Sequence, residues 1–187
     1  METNEQSRER QRPDRQPDPR TWLLTFTCYG TWLHGHPNTV DRNHNIPGNR
    51  RLPPNTVRLA ENQRRMHQPP YSLDDTRRPL VLSAIRETCH LRNWELLAVH
   101  VRTNHVHVVL QSQDTPEHMI ATLKAYASRA LNGTALDGSD RRRWTRHGST
   151  VPLTNNLAVS AAVNYVICRQ GDPMAAYARE EQAWLTA

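Results

Sequence analysis

Residues 94–112 read WELLAVHVRTNHVHVVLQS, and their alternation decides the fold. WELLAVHVR and HVHVVLQS read as two strands separated by Thr103-Asn104. Asparagine tolerates the left-handed backbone that a two-residue hairpin loop needs, so the pair predicts an antiparallel hairpin. Side chains along a strand alternate between faces. Val106, Val108 and Leu110 therefore share a face suited to a core, while His105 and His107 project together from the other. Two neutral imidazoles at that spacing can share one divalent metal ion. HxH in a strand also serves as ordinary surface or core histidine, so the pair needs a partner elsewhere in the chain.

Working outward, PLVLSAIRETCHLRNW predicts a helix over about 79–92, with Pro79 at its first position and Leu80, Ile85 and Cys89 in an apolar stripe. Upstream, TWLLTFTCY predicts a strand from Thr21, with Trp22, Leu24 and Phe26 on one face, ending at Gly30. Between them residues 34–78 form a long polar stretch holding Pro37, Pro47, Pro53, Pro54, Pro69 and Pro70, with a short helical possibility around Thr56 to His67. Downstream, Pro116 opens a second helix to about Leu131. In RRRWTRHGSTVPL, Trp144 suggests a short edge strand. A third helix should run from about Asn156 to Arg169, capped by Asn155 or Asn156, with Gly171 just past its end and Pro173 forbidding continuation. The order up to the edge strand is the βαββαβ split unit. The expected fold class is α+β: a ferredoxin-like antiparallel sheet with helices on one face plus a C-terminal helix.

The 187 residues suit a single domain. Residues 1–20 have no large apolar side chain beyond Met1, mix both charges and include three prolines, which reads as a disordered tail. Residues 21–171 form the expected domain, with 34–78 as an insertion loop, and 172–187 form a C-terminal tail. The apolar fraction is 36%, yet it falls in distinct runs, which excludes wholesale disorder. No run approaches the roughly 18–20 apolar residues that span a bilayer, and the N-terminus has no signal-peptide core, so the expected partners include no membrane. Cys28, Cys89 and Cys168 are far apart and lack CxxC spacing, which fits buried or reduced thiols in a cytoplasmic protein.

Basic residues number 24 against 18 acidic, and Lys124 is the only lysine, leaving 23 arginines. The planar guanidinium pairs bidentately with phosphate and never loses its charge, which suits a nucleic-acid surface, although a GC-rich genome also inflates arginine. Arg141, Arg142, Arg143 and Arg146 surround Trp144 and are expected on the DNA backbone, with Trp144 either stacking on a base or anchoring in the core.

In the last helix Val159, Val163, Val166 and Ile167 cluster on one face. Tyr165 falls roughly opposite, among Ala158, Ala161 and Cys168, small neighbours that leave a phenol approachable. Its rival is Tyr126, which borders the apolar face of the second helix.

His105-Val106-His107 preceded by Asn104, TFTCYGTWLHG after the first strand, LKAYASRALN in the second helix, RWTRHGS, and Tyr165 in AAVNYVICRQG stand in an order that resembles the single-tyrosine HUH transposases. These are the small insertion-sequence transposases and the REP-associated tyrosine transposases. The resemblance covers most of residues 22–171. It implies an HUH-type endonuclease that cleaves and rejoins single-stranded or hairpin DNA during transposition and recombination, with His105 and His107 holding Mg²⁺ or Mn²⁺. Tyr165 would attack phosphorus, forming a 5′-phosphotyrosine and releasing a 3′-hydroxyl. In many relatives a Gln or Asn one helical turn after the tyrosine completes the metal site, and here that position is Arg169. A guanidinium cannot ligate a cation. Gln170 follows and reaches the metal only if the helix frays or tightens before Gly171, leaving Arg169 for the scissile phosphate. Relatives act as homodimers that exchange the tyrosine helix or as monomers, and no residue pattern here decides between them.

Two other readings compete. One is a catalytically inactive or domesticated single-stranded or hairpin DNA binder on the same sheet. The other is a zinc hydrolase using His105, His107 and one of His100, His34 or His36, although HExxH and an adjacent carboxylate are absent.

Overall fold

A computed structural model describes residues 20–36 and 53–179. Strand β1 (Arg20–Thr27) is followed by helices α1 (Thr56–Arg64) and α2 (Arg77–Leu91). The hairpin strands β2 (Glu95–Val101) and β3 (His105–Ser112) come next, then α3 (Pro116–Asn132), β4 (Ser149–Leu153), α4 (Asn156–Cys168) and β5 (Ala175–Ala178). The strands form one antiparallel sheet in the order β4-β1-β3-β2-β5. The fold is thus α+β. Among the described residues no helix is long and apolar enough to cross a membrane.

The two faces of β3 separate as its alternation dictates. Val106, Val108 and Leu110 lie with Leu24, Phe26, Val99 and Val101 in the larger core, against Val81 and Ile85 of α2 and Met119, Leu123 and Ala127 of α3. Val109 faces the other way, into a smaller cluster with Ala162, Val163 and Val166 of α4. A bulge between Leu96 and Ala98 shifts the register of β2, and Leu97 and Ala98 both join that second cluster. The C-terminal helix therefore covers the face that carries the imidazoles.

Several boundaries differ from the sequence expectation, each for a local reason. Helix α2 begins two residues before Pro79 because the Asp74 carboxylate accepts from the amides of Thr76 and Arg77, and proline without an N–H is harmless in a first turn. The hairpin closes with the Arg102 amide donating to the His105 carbonyl at 2.8 Å, but among the described non-glycine residues the only positive φ is at Asn93, so Asn104 does not turn the chain by a left-handed backbone. The edge strand lies at Ser149–Leu153 and not at Trp144, which makes only an isolated bridge to Cys28. Trp144 is an anchor: its Nε1 donates to the Ser128 hydroxyl at 2.9 Å and the Lys124 carbonyl at 3.2 Å, and its ring meets Phe26 edge-on at 5.1 Å. Within the segment read as a C-terminal tail, Ala175–Ala178 pairs with β2 as a fifth strand. The expected insertion loop contains α1, while its residues 37–52 and the expected tail residues 1–19 and 180–187 lie outside the described residues.

Candidate active site

Three side chains meet where the ends of β1 and β3 pass beside the C-terminal half of α4. In the sheet, Thr27 pairs with His105 and Thr25 with His107. The His105 and His107 rings stand 4.7 Å apart, centroid to centroid, and the Tyr165 ring meets His107 edge-on at 5.5 Å. Tyr165 is 44% exposed although its helix is packed down, because Val163 and Val166 take the buried face. Its phenol is therefore open to solvent while its ring touches a buried imidazole.

Each histidine is oriented through one ring nitrogen. His105 Nδ1 lies 2.7 Å from Asn104 Oδ1, an acceptor, so Nδ1 carries the proton of the neutral ring. His107 Nδ1 lies 2.8 Å from the Thr25 hydroxyl. Both contacts engage Nδ1 and direct Nε2 away, the arrangement by which a second layer of hydrogen bonds prepares imidazoles as ligands. Burial favours the neutral forms: it lowers the pKa of His105, and it takes His107 down to about 4, with the neighbouring His105 adding to the effect.

Helix α4 ends at Cys168, capped at its start by Asn155, whose side chain accepts from the Ala158 amide at 2.8 Å. Arg169 has left helical geometry at φ −109°, and Gly171 takes φ +77°, a value that glycine adopts without strain. Unwinding there lets Gln170 fold back. Its Nε2 donates to the Tyr165 carbonyl at 3.1 Å, and its side chain lies beside both imidazoles, where it favours their charged forms and pulls their pKa values up against the larger effect of burial. Arg169 stays exposed.

His100, a third imidazole on the same face, is committed elsewhere. Its Nδ1 donates to the Val166 carbonyl at 2.8 Å and its Nε2 accepts from the Met174 amide at 3.3 Å, so no lone pair is left for a metal. Among the described residues there is no group of three or more His, Cys, Asp or Glu side chains that could hold a metal. The donors converging on the histidine pair thus include an amide rather than a third imidazole or carboxylate. Tyr126 lies on α3, which packs on the opposite face of the sheet, under the Arg129 guanidinium at 4.8 Å.

The basic cluster divides. Arg143 is buried, its Nε 3.3 Å from Asp137, which also takes the Tyr71 hydroxyl at 2.5 Å and Arg77 at 2.7 Å. The Arg141 guanidinium donates to Gln68 and to the carbonyls of Pro69 and Pro70. These two, expected on DNA phosphates, instead fasten residues 68–71 to the 137–143 loop, because a buried carboxylate and unpaired carbonyls recruit the nearest guanidinium. Arg142 and Arg146 remain exposed. The Asp137–Tyr71–Arg77 network was invisible in the sequence, where Asp137 lies 66 residues from Tyr71 and 60 from Arg77.

Residues 71–166 match the family model "Transposase IS200 like", a span that holds His105, His107 and Tyr165 and stops before Gln170. No curated protein matches the chain. Among solved structures, one similar to this chain is a REP-associated tyrosine transposase bound to a REP hairpin, at 14% identity and a TM-score of 0.48, over 85% of this chain and 71% of that one.

Proposed function

Since the chain belongs to the IS200-like transposase family, we propose that it is a metal-dependent transposase of the single-tyrosine HUH type, nicking and rejoining single-stranded or hairpin DNA through a 5′-phosphotyrosine. The observation that carries this reading is the contact chain itself: the Tyr165 ring against His107 and His107 against His105, with Gln170 folded back beside them onto the Tyr165 carbonyl. The strand order β4-β1-β3-β2 within the sheet also supports the ferredoxin-like description.

The residues present fit a divalent ion. Two imidazoles are kept neutral by burial, with Nδ1 occupied and Nε2 directed away, and the Gln170 amide is the neutral oxygen donor beside them. His105, His107 and Gln170 would hold Mg²⁺ or Mn²⁺. The ion when bound supplies a Lewis acid that offsets charge developing on a non-bridging phosphate oxygen. Tyr165 does the covalent work. Its phenolic oxygen bonds to phosphorus as the phosphorus–O3′ bond breaks. The phenolic proton passes to water and the departing O3′ takes one back, so protons and charge balance. The linkage is conserved as a tyrosyl ester, and attack by another 3′-hydroxyl reseals the strand and returns the phenol without ATP. Arg169, exposed at the end of α4, is positioned by sequence to pair with the scissile phosphate, and Arg142 and Arg146 are the guanidinium groups of the basic cluster available to the backbone.

The test uses end-labelled single-stranded oligonucleotides from the DNA flanking the gene, Mn²⁺ and a denaturing gel. Wild type and Tyr126→Phe should give a nicked product and a protein–DNA adduct, and Tyr165→Phe should give neither. An adduct that persists in Tyr165→Phe overturns the nucleophile. Binding by the wild type without any adduct favours the inactive binder.

A further inference from the structure

Helix α1 is nine residues long and buries none of its side chains, and Val57 in its first turn is 69% exposed. So short a helix is marginal alone in water, and this one does not contribute to the core. It is held by a polar and close-packed seam against the loop that follows β1. Asn62 Nδ2 donates to the His34 carbonyl at 3.2 Å, and the Asn55 amide donates to the Gly35 carbonyl at 2.9 Å. At Gly35, with φ +100°, a Cβ would stand 2.5 Å from the Asn55 carbonyl oxygen and 2.6 Å from the Leu59 nitrogen, so only glycine lets the helix approach so closely.

The same loop is tied to the candidate active site. The Cys28 amide donates to the Asn104 carbonyl at 2.8 Å, and the Thr31 hydroxyl donates to that carbonyl at 3.3 Å. Asn104 is the residue whose side chain orients His105. One residue past this tie, Trp32 is 48% exposed, with His36 edge-on to its indole at 5.7 Å. Arg58 on α1 and Arg65, its C-cap, are exposed and lie at the i and i+7 positions of the stripe whose i+4 member, Asn62, reaches the loop. Glu61 borders that stripe and Arg64 points about 100° or more away from it.

Resting on the reading of the chain as a single-strand nuclease, we propose that Trp32 and the Arg58–Arg65 stripe of α1 form a binding arm for the unpaired DNA strand flanking the scissile phosphate. The indole stacks on an unstacked base, and the two guanidinium groups follow the backbone. The arm lies outside the span that matches the family model, residues 71–166. A single strand is the occupant the chemistry favours, because an exposed indole needs a base with a free face, which a duplex does not offer.

Binding measured in EDTA separates the arm from the chemistry. The probe is a fluorescent 20-nucleotide single strand, titrated by anisotropy from 50 to 300 mM salt, with the same sequence as a duplex for comparison. Trp32→Ala should weaken single-strand binding by roughly 5- to 150-fold, leave its salt slope and the duplex affinity unchanged, and be partly rescued by Trp32→Phe. Arg58→Gln/Arg65→Gln should flatten the single-strand salt slope by about 1.4, from two phosphates at about 0.7 each, and Arg64→Gln should not. Wild-type affinity and slope in both variants would overturn the arm alone, and so would an equal flattening by Arg64→Gln. No single-strand binding by the wild type would remove the arm and the proposed function together. Circular dichroism and the melting temperature confirm that each variant is folded.

Discussion

On one face of the sheet Leu24, Phe26, Val99, Val106, Val108 and Leu110 meet Ile85, Met119 and Leu123 from two helices, all of them fully buried. On the other face a single helix covers Leu97, Ala98 and Val109 with Ala162, Val163 and Val166, and that face also carries His100, His105, His107 and the Gln170 side chain. Aromatic and long aliphatic side chains dominate the first set, and alanine and valine the second. Because burial stabilises roughly in proportion to apolar area, the first face carries the fold. That division lets the second face be thin enough to hold polar groups and an exposed phenol. Stability and chemistry are thus assigned to opposite sides of the same strand, one residue apart along β3.

The largest effect that would break this division is on chemistry. His105→Ala or His107→Ala should abolish nicking, while unfolding free energy in the absence of metal falls by about 1–2 kcal/mol, less than a core aromatic costs, and DNA affinity in EDTA hardly moves. Wild-type cleavage in either variant would remove the pair from the reaction. Phe26→Ala on the opposite face should do the reverse. It should cost about 3–5 kcal/mol in urea unfolding, while molecules that remain folded nick at an unchanged rate. A stability loss below about 1 kcal/mol would mean that the larger core does not carry the fold.

A smaller effect sharpens the contrast. Burial holds His107 down to about 4 in the metal-free protein, against an ordinary 6.5. The unfolded chain takes up that proton first, so the stability from a neutral His107 is whole above about pH 6.5 and is lost as the pH falls toward 4. The loss is on the order of 3 kcal/mol. Urea midpoints for wild type and His107→Gln between pH 7 and 4.5 read this directly, and parallel curves would show that His107 does not contribute.

Much of this was legible in the sequence wherever one periodicity ran undisturbed. The alternation of β3 separates Val106, Val108 and Leu110 from the imidazoles, and the valine positions of α4 leave Tyr165 on the open side; Asn155 and Gly171 bracket that helix as their residue types require. What was missed depends on tertiary partners. AAYA has little β-propensity and becomes a strand only because β2 offers an unpaired edge. Trp144 resembles a strand residue until Ser128 and Lys124 supply acceptors for its indole. Arg141 and Arg143 look like any exposed arginines until Asp137 and the carbonyls of Pro69 and Pro70 come beside them. Gln170 reaches the imidazoles because α4 stops two residues earlier, and helix ends are the least determined part of a local pattern.

Lys124, the only lysine of the chain, is buried on α3, with its ammonium hydrogen-bonded to the carbonyls of Thr145 and His147 at 2.8 and 2.9 Å and burial drawing its pKa down to about 8. These bonds close the seam between α3 and the segment leading into edge strand β4. In mildly alkaline solution part of that amine is uncharged, kept from reagents by packing and by its two hydrogen bonds. Acylation of this one side chain would therefore time the opening of the seam, giving the protein a built-in clock for the motion of its own edge.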